Sequence, residues 1–198
     1  MKSIITISRE FGSGGHSIGM LVAEKLGYHF YGRELVEKVA QISGFSTEFI
    51  KESGEYASAK SGILFSLATV GQYETSGMSM HDRLYLIQSK VIEDIAAEGN
   101  CVIVGRCADY ILRDYKDCLH VFIYADMESR ARRIVERYGE QDRPPKKRLE
   151  DKDQKRRVYY KNYTGRNWGE THNYDLCLDS SKLGIEACAN LIVTACRE

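Results

Sequence analysis

Several hallmarks of linkers, disulfide frameworks and membrane segments are missing from this sequence. Its only prolines are Pro144 and Pro145, so extended disordered linkers are not expected. The six cysteines form no C-x-x-C pair, which predicts a reduced, cytoplasmic protein with buried free thiols. The histidines lack metal-ligand spacing, so no zinc site is predicted. No apolar run approaches the roughly 18 residues of a membrane helix, and the N-terminal residues lack the apolar core of a signal peptide.

An excess of charge of one sign is also missing. Lysine and arginine together number 28, as do aspartate and glutamate, so neither nucleic acid nor a membrane surface is expected as a partner. A chain of 198 residues, 43% of them hydrophobic, fits a single domain over residues 1–198. Whether copies of the chain form a homo-oligomer is left open.

Strand-like and helix-like segments alternate along the chain. The predicted strands cover residues 3–8, 28–31, 101–104, 119–124 and 174–178. The predicted helices include residues 18–26, 34–41, 127–138, 147–163 and 184–196. This order predicts an α/β fold with a five-stranded parallel sheet covered by helices on both faces. Ligands of such sheets bind at the carboxyl ends of the strands.

The turn after the first strand is rich in glycine and opens a helix. Such a turn lets the backbone approach an anion, and the helix N-terminus points its N–H groups at it. We therefore predict that phosphates bind at Gly12, Ser13, Gly14, Gly15, His16 and Ser17. The phosphate-loop pattern G-x-x-x-x-G-K-[ST] has a lysine where this chain has Gly15. The alternative is a tight packing turn. A dinucleotide fold fits less well, because no acidic residue closes a second strand about twenty residues on.

Arginines follow the third and fourth strands. Arg106 can bind a phosphate through two parallel hydrogen bonds, or it can pair with a carboxylate such as Asp109. Helical spacing puts Arg130 and Arg133 on one face, where they could stabilise a transferring phosphate or simply face solvent.

The stretch 139–172 is basic and aromatic, with little apolar surface to bury, and is predicted to be mobile. Asp153 and Arg156 can pair locally on its helix, or Asp153 can contact a base or orient an arginine. Its aromatics, Tyr159, Tyr160, Tyr163 and Trp168, are expected to pack against neighbouring helices rather than to stack on a base.

In this order along the chain, these residues resemble the P-loop nucleoside monophosphate kinases, specifically the cytidylate kinase-like group. The likeness rests on the glycine turn, Val104-Gly105-Arg106, residues 125–133, the triplet Glu150, Asp153 and Arg156, and residues 178–181. It implies a P-loop kinase-type, three-layer α/β/α fold. It also implies a helical acceptor-binding insert at about residues 31–90 and a lid at about 139–172.

The resemblance further implies ATP-dependent phosphoryl transfer to a nucleoside monophosphate, with CMP as one candidate, and Mg²⁺ held at the Ser17 hydroxyl. The acceptor would be bound by Arg33, Gln88, Gly105, Arg106 and Asp109. The catalytic residues would include Arg130, Arg133, Asp153 and Arg156. Where the chain departs from the family at Gly15, we predict that Arg9, just after the first strand, is a catalytic residue that replaces the missing lysine. The alternative is that Arg9 pairs with an acidic neighbour such as Glu10. Two alternatives stay open: a nucleotide-binding regulatory protein with little or no turnover, and a kinase of another small metabolite.

Overall fold

A parallel five-stranded sheet lies at the centre of the protein in the computed structural model, which describes residues 2–53 and 78–198. Its strand order is β2-β3-β1-β4-β5. The strands are β1 Ile4–Arg9, β2 His29–Tyr31, β3 Cys101–Val104, β4 Cys118–Tyr124 and β5 Leu176–Asp179. The first strand is central, with Ile4 opposite Cys101 on one side and Cys118 on the other. Because all pairings are parallel, the carboxyl ends of the strands meet at one edge.

Helices cover both faces of this sheet, which confirms the predicted three-layer architecture. They are α1 Gly15–Leu26, α2 Arg33–Ser43, α3 Thr47–Ser53, α4 Met80–Glu98, α5 Ala108–Ile111, α6 Met127–Tyr138, α7 Pro145–Thr164 and α8 Ser180–Arg197, with a 3-10 turn at Thr171–Asn173. Helices α1 and α8 pack with Ile5 and Ile7 on one face. Helices α2 to α5 pack with Ile4 and Ile103 on the other.

The predicted segments are right in type but shifted at their ends. Helix α8 begins at Ser180, not at residue 184, because Asp179 Oδ1 accepts hydrogen bonds from the N–H groups of Ser181 and Lys182. Gly184, with φ 80° and ψ 168°, then interrupts the helix. The short helix α5 was not predicted at all. The glycine- and serine-rich middle of the insert, residues 54–77, lies outside the described residues.

Helix α7 is anchored to the rest of the protein by buried side chains. Leu149 is fully buried, and the Tyr163 ring stacks on Tyr85 of α4 with centroids 4.2 Å apart. Tyr159 and Tyr160 are also buried, so the predicted packing role of these tyrosines is confirmed. The expectation that residues 139–172 bury little apolar surface is wrong, because the tyrosines supply it. Lid motion stays a prediction.

Two expectations from composition can be compared with the structure. All six cysteines are free, and five are buried, as predicted. Within residues 2–53 and 78–198, no helix combines the length and the apolarity needed to cross a membrane.

Candidate active site

The glycine turn forms a tight loop between β1 and α1. Gly12 and Gly14 have φ of 79° and 82°, in the left-handed region that favours glycine. A Cβ atom on Gly12 would lie 2.9 Å from the Arg130 carbonyl oxygen, and one on Gly14 would lie 2.4 Å from Ile185 Cδ1. The loop therefore requires glycine for its backbone conformation and for its close neighbours.

The N-terminus of α1 carries no side-chain cap. Its cap residue is Gly14, and its first turn holds no acidic side chain. No acidic side chain of the first turn offsets the helix dipole, which favours an anion at this end. Burial, and then the positive charges of Arg137, Arg9 and Arg33, lower the pKa of His16, so its imidazole is neutral at pH 7.

A network of buried ion pairs fixes the backbone of Phe11 in the glycine loop. Arg130 donates from Nε to the Phe11 carbonyl at 2.9 Å, and its Nη1 lies 2.9 Å from Glu10 Oε2. Arg130 Nη2 also pairs with Asp153 Oδ2. Asp153 Oδ1 in turn accepts from the Phe11 N–H at 2.8 Å. Both backbone groups of Phe11 are thereby fixed by α6 and α7.

Arg133 and Ser180 hold the last part of the loop. Arg133 Nη1 donates to the Ser13 carbonyl at 3.1 Å and to Ser180 Oγ at 3.0 Å. Ser180 Oγ donates to the same Ser13 carbonyl at 2.5 Å. Ser13 itself is fully buried and donates from Oγ to the Glu10 carbonyl at 2.9 Å. The predicted loop residue Ser13 is therefore a structural part of the turn, with its hydroxyl turned inward.

The end of β3 makes a second unusual turn beside the loop. Gly105, Arg106 and Cys107 all have positive φ, of 79°, 59° and 57°. Arg106 Nη1 donates to the Ile50 carbonyl at 3.0 Å and to Gln88 Oε1 at 3.3 Å. Gln88 Nε2 donates back to the Arg106 carbonyl at 3.4 Å. The structure thus brings Arg106 and Gln88 together, and it ties β3 to the described helices of the insert.

Asp109 lies apart from this contact. It is 4% exposed and accepts a hydrogen bond from Tyr160 Oη at 2.6 Å. Burial raises the pKa of its carboxyl to about 6. The ion pair with Arg106 that the sequence left open is not among the contacts of Arg106, which go to Ile50 and Gln88.

A cavity of about 750 Å³ opens over the loop at the carboxyl edge of the sheet. Its lining brings together most of the predicted site residues: Arg9, Gly12, Gly14, Gly15, His16, Ser17, Arg33, Gly105, Arg106, Arg133 and Arg156. Ser13, Gln88, Asp109, Arg130 and Asp153 are buried outside this lining. Their predicted roles at the reacting groups stay predictions. Their contacts give Ser13, Gln88, Arg130 and Asp153 a role in supporting the lining.

The charge of this cavity is strongly positive. Among the described residues, eight basic side chains line it against two glutamates, Glu10 and Glu136. Arg33, Lys51 and Arg106 lie on the side of the insert, and Arg133, Arg137, Lys152 and Arg156 on the side of α6 and α7. Lys51 and Lys152 were not singled out from the sequence. Lys152 belonged to the basic stretch, whereas nothing in the residues around Lys51 marked it. Such a lining suits a ligand with several phosphate groups.

Comparison with known proteins agrees with the family resemblance found in the sequence. Residues 4–182 match the model of the cytidylate kinase-like family. A cytidylate kinase from Archaeoglobus fulgidus is 30% identical over 196 residues, covering 96% of this chain and 93% of that protein. An uncharacterized protein from Eubacterium ventriosum superposes with a TM-score of 0.74 at 25% identity, over 100% of this chain and 99% of that one. A shikimate kinase from Bacteroides thetaiotaomicron shares the fold, with a TM-score of 0.58 at 15% identity over the full length of both chains.

The family match and the related cytidylate kinase identify a nucleotide kinase, and its fold is shared with shikimate kinase. The chain belongs to the cytidylate kinase-like family. The fold class and the family resemblance predicted from the sequence are therefore confirmed.

Proposed function

We propose that this protein transfers the γ-phosphoryl group of ATP to a nucleoside monophosphate, with CMP as the first acceptor to test. One observation carries this proposal. A single positively charged cavity joins the glycine loop to the insert-side basic residues Arg33, Lys51 and Arg106. A donor triphosphate and an acceptor monophosphate must meet head to head, and each brings negative charge that cations can stabilise.

The donor phosphates belong at the loop in this proposal. The uncapped N-terminus of α1 offers backbone N–H groups, and Gly12 and Gly14 permit the close approach of an anion. Arg133 and Arg156 line the same part of the cavity from the other side. Arg133 is fixed by Ser13 and Ser180, so it is already oriented before a nucleotide binds.

The acceptor phosphate belongs at the end of β3. Arg106 is held there by the Ile50 carbonyl and by Gln88, both from the insert. Its neighbours in the cavity lining, Arg33 and Lys51, add two further positive charges from α2 and α3. Three cations on short, separate elements suit a dianionic monophosphate.

Magnesium fits this site only with the help of the nucleotide. Among the described residues, no group of three histidine, cysteine, aspartate or glutamate side chains could hold a metal ion. Ser17 Oγ lies in the cavity lining, where it accepts a hydrogen bond from Arg137 at 3.5 Å. Mg²⁺ commonly binds through substrate phosphates and water with few protein ligands, and Ser17 could be one of them. The ion would neutralise phosphate charge during transfer.

A coupled assay of ADP release tests the proposal. Wild-type protein is incubated with ATP, Mg²⁺ and each nucleoside monophosphate in turn, and product formation is verified by chromatography. We expect turnover with at least one pyrimidine monophosphate, and none without an acceptor. Absence of transfer to every nucleoside monophosphate would reject the proposal.

A second candidate function is a nucleotide-binding protein with little turnover. Gly15, at the position of the loop lysine, favours it, because that lysine normally contacts the transferring phosphates. Calorimetry separates the two candidates. Tight ATP binding without transfer to any acceptor, including other small phosphorylatable metabolites, would favour the regulatory protein.

A further inference from the structure

Three positions of the glycine loop depart from the phosphate-loop pattern: His16 stands at the [ST] position, and a glycine and a basic residue are exchanged between two others. With Gly14 as the second glycine of G-x-x-x-x-G-K-[ST], Arg9 stands at the first glycine and Gly15 at the lysine. A basic residue is thus gained at one end of the loop and lost at the other. The geometry of the two positions links these changes.

The stem of Arg9 fills the space that a side chain on residue 15 would need. A Cβ atom on Gly15 would lie 2.6 Å from Arg9 Cβ and 2.9 Å from Arg9 Cγ. The Arg9 backbone, and with it the Cβ atom, is constrained here, since Arg9 pairs with Ile123 at the end of the central strand. A lysine at position 15 is therefore incompatible with Arg9 in its present place.

The head of Arg9 lies across the cavity wall at the end of β3. A Cβ atom on Gly105 would lie 2.2 Å from Arg9 Nη1 and 3.1 Å from its Cζ. The side chain thus runs over Gly15 and ends over Gly105, next to Arg106. Arg9, Gly15, Gly105 and Arg106 all line the same cavity. The guanidinium lies between the loop and the acceptor side of the cavity.

We propose that Arg9 is the catalytic cation of this kinase, acting on the transferring phosphates from the first-glycine position in place of the loop lysine. This rests on the proposed phosphoryl transfer. The guanidinium offers two parallel hydrogen bonds to phosphate oxygens and keeps its charge at any working pH. The Arg9 side chain occupies the space beside both Gly15 and Gly105.

Arg9→Met is the first test, because methionine keeps an apolar stem over Gly15 and removes the charge. We expect kcat to fall about 100-fold, as when one transition-state donor is removed, and ATP affinity to fall as well. Arg9→Lys should recover part of the loss. Arg132→Ala is the matched control: it removes an exposed arginine of α6 that does not line the cavity, and should leave kcat unchanged. A kcat for Arg9→Met within threefold of wild type would overturn the proposal.

The second test exchanges the two residues. Gly15→Lys alone should be nearly inactive because its side chain clashes with Arg9, and Arg9→Gly alone should be nearly inactive because the cation is lost. The double variant Arg9→Gly/Gly15→Lys restores the first glycine and the lysine of the pattern, with His16 still at the [ST] position, and should recover at least tenfold over either single variant. Thermal unfolding of all variants identifies any that fail to fold. A folded double variant no better than the singles would refute the exchange.

Failure of the proposed function gives a different result from failure of this inference. If wild-type protein binds ATP but phosphorylates no acceptor, calorimetry with ATP and Mg²⁺ decides about Arg9. A loss of affinity of tenfold or more in Arg9→Met then supports its contact with the phosphates, and unchanged affinity overturns it. If wild-type protein does not bind ATP, both proposals are wrong.

Discussion

Removal of Arg130 should destabilise the protein, because its guanidinium supports the loop from a buried position. Arg130 is 4% exposed and contacts Glu10, Asp153 and the Phe11 carbonyl. Arg130→Ala leaves the Asp153 carboxylate buried without its main partner. Removing one member of a buried ion pair costs about 3–5 kcal/mol.

The surroundings place the expected cost at the lower end of that range. The Glu10 side chain is 20% exposed and can be solvated when its partner is lost. Asp153 keeps Arg156 Nη1 at 3.6 Å and the Phe11 N–H at 2.8 Å. We therefore expect a loss of about 3 kcal/mol in the free energy of unfolding. With a urea m-value of about 3 kcal/mol/M, the midpoint should fall by about 1 M.

Urea denaturation followed by circular dichroism measures this shift. Arg132→Ala, on the exposed side of the same helix, should stay within about 0.5 kcal/mol of wild type. A double-mutant cycle with Asp153→Ala should give a coupling energy of about 2 kcal/mol. If Arg130→Ala unfolds like wild type and loses kcat per folded molecule, the supporting role is wrong. Its predicted catalytic role would then be favoured.

Three further outcomes are expected. Gly14→Val should abolish ATP binding in calorimetry. Gly27 has a similar φ of 68° but open space around it, so Gly27→Val should only lower stability. Equal ATP affinity in both variants would contradict the phosphate role of the loop. Arg106→Ala should raise KM for the acceptor far more than KM for ATP, and an equal rise would contradict its assignment to the acceptor. Burial raises the pKa of Asp109 from 3.8 to about 6, so its favourable contribution to stability is complete below pH 4 and is lost as pH rises through 6. The free energy of unfolding of Asp109→Asn, relative to wild type, should therefore rise by up to about 3 kcal/mol as the pH is raised from 4 to 7. A difference in unfolding free energy that does not vary with pH would refute this reasoning.

The fold and the loop could be predicted because their signals are local. Alternating apolar segments define the strands, and Gly12 and Gly14 mark a turn that needs positive φ. The arginines after β3 and β4 could be found because parallel strands bring their carboxyl ends to one edge. Local spacing also predicted the contact between Asp153 and Arg156, three residues apart, which lie 3.6 Å from each other.

Contacts between distant residues could not be predicted in the same way. Phe11 and Asp153 are 142 positions apart, and Arg106 and Ile50 are 56 apart. A single sequence does not show that Arg130 donates to the Phe11 carbonyl from a buried position, or that Arg133, three residues on, donates to the Ser13 carbonyl and lines the cavity. Lys51 has no pattern around it. Its place in the cavity depends on how α3 is held against the turn after β3, where Arg106 donates to the Ile50 carbonyl.

Under the proposed function, the backbone at the end of β3 explains why the donor and acceptor sides can meet within so few residues. Arg106 and Cys107 have φ of 59° and 57°, which costs non-glycine residues about 1–2 kcal/mol each. Such strain persists only where surrounding contacts fix it, and here Ile50 and Gln88 hold the Arg106 side chain. The turn leaves Gly105 beneath the Arg9 guanidinium and puts Arg106 on the insert side. Two adjacent residues therefore lie on the two sides of the cavity, and under the proposed function a shift of either would change the distance between the reacting phosphates.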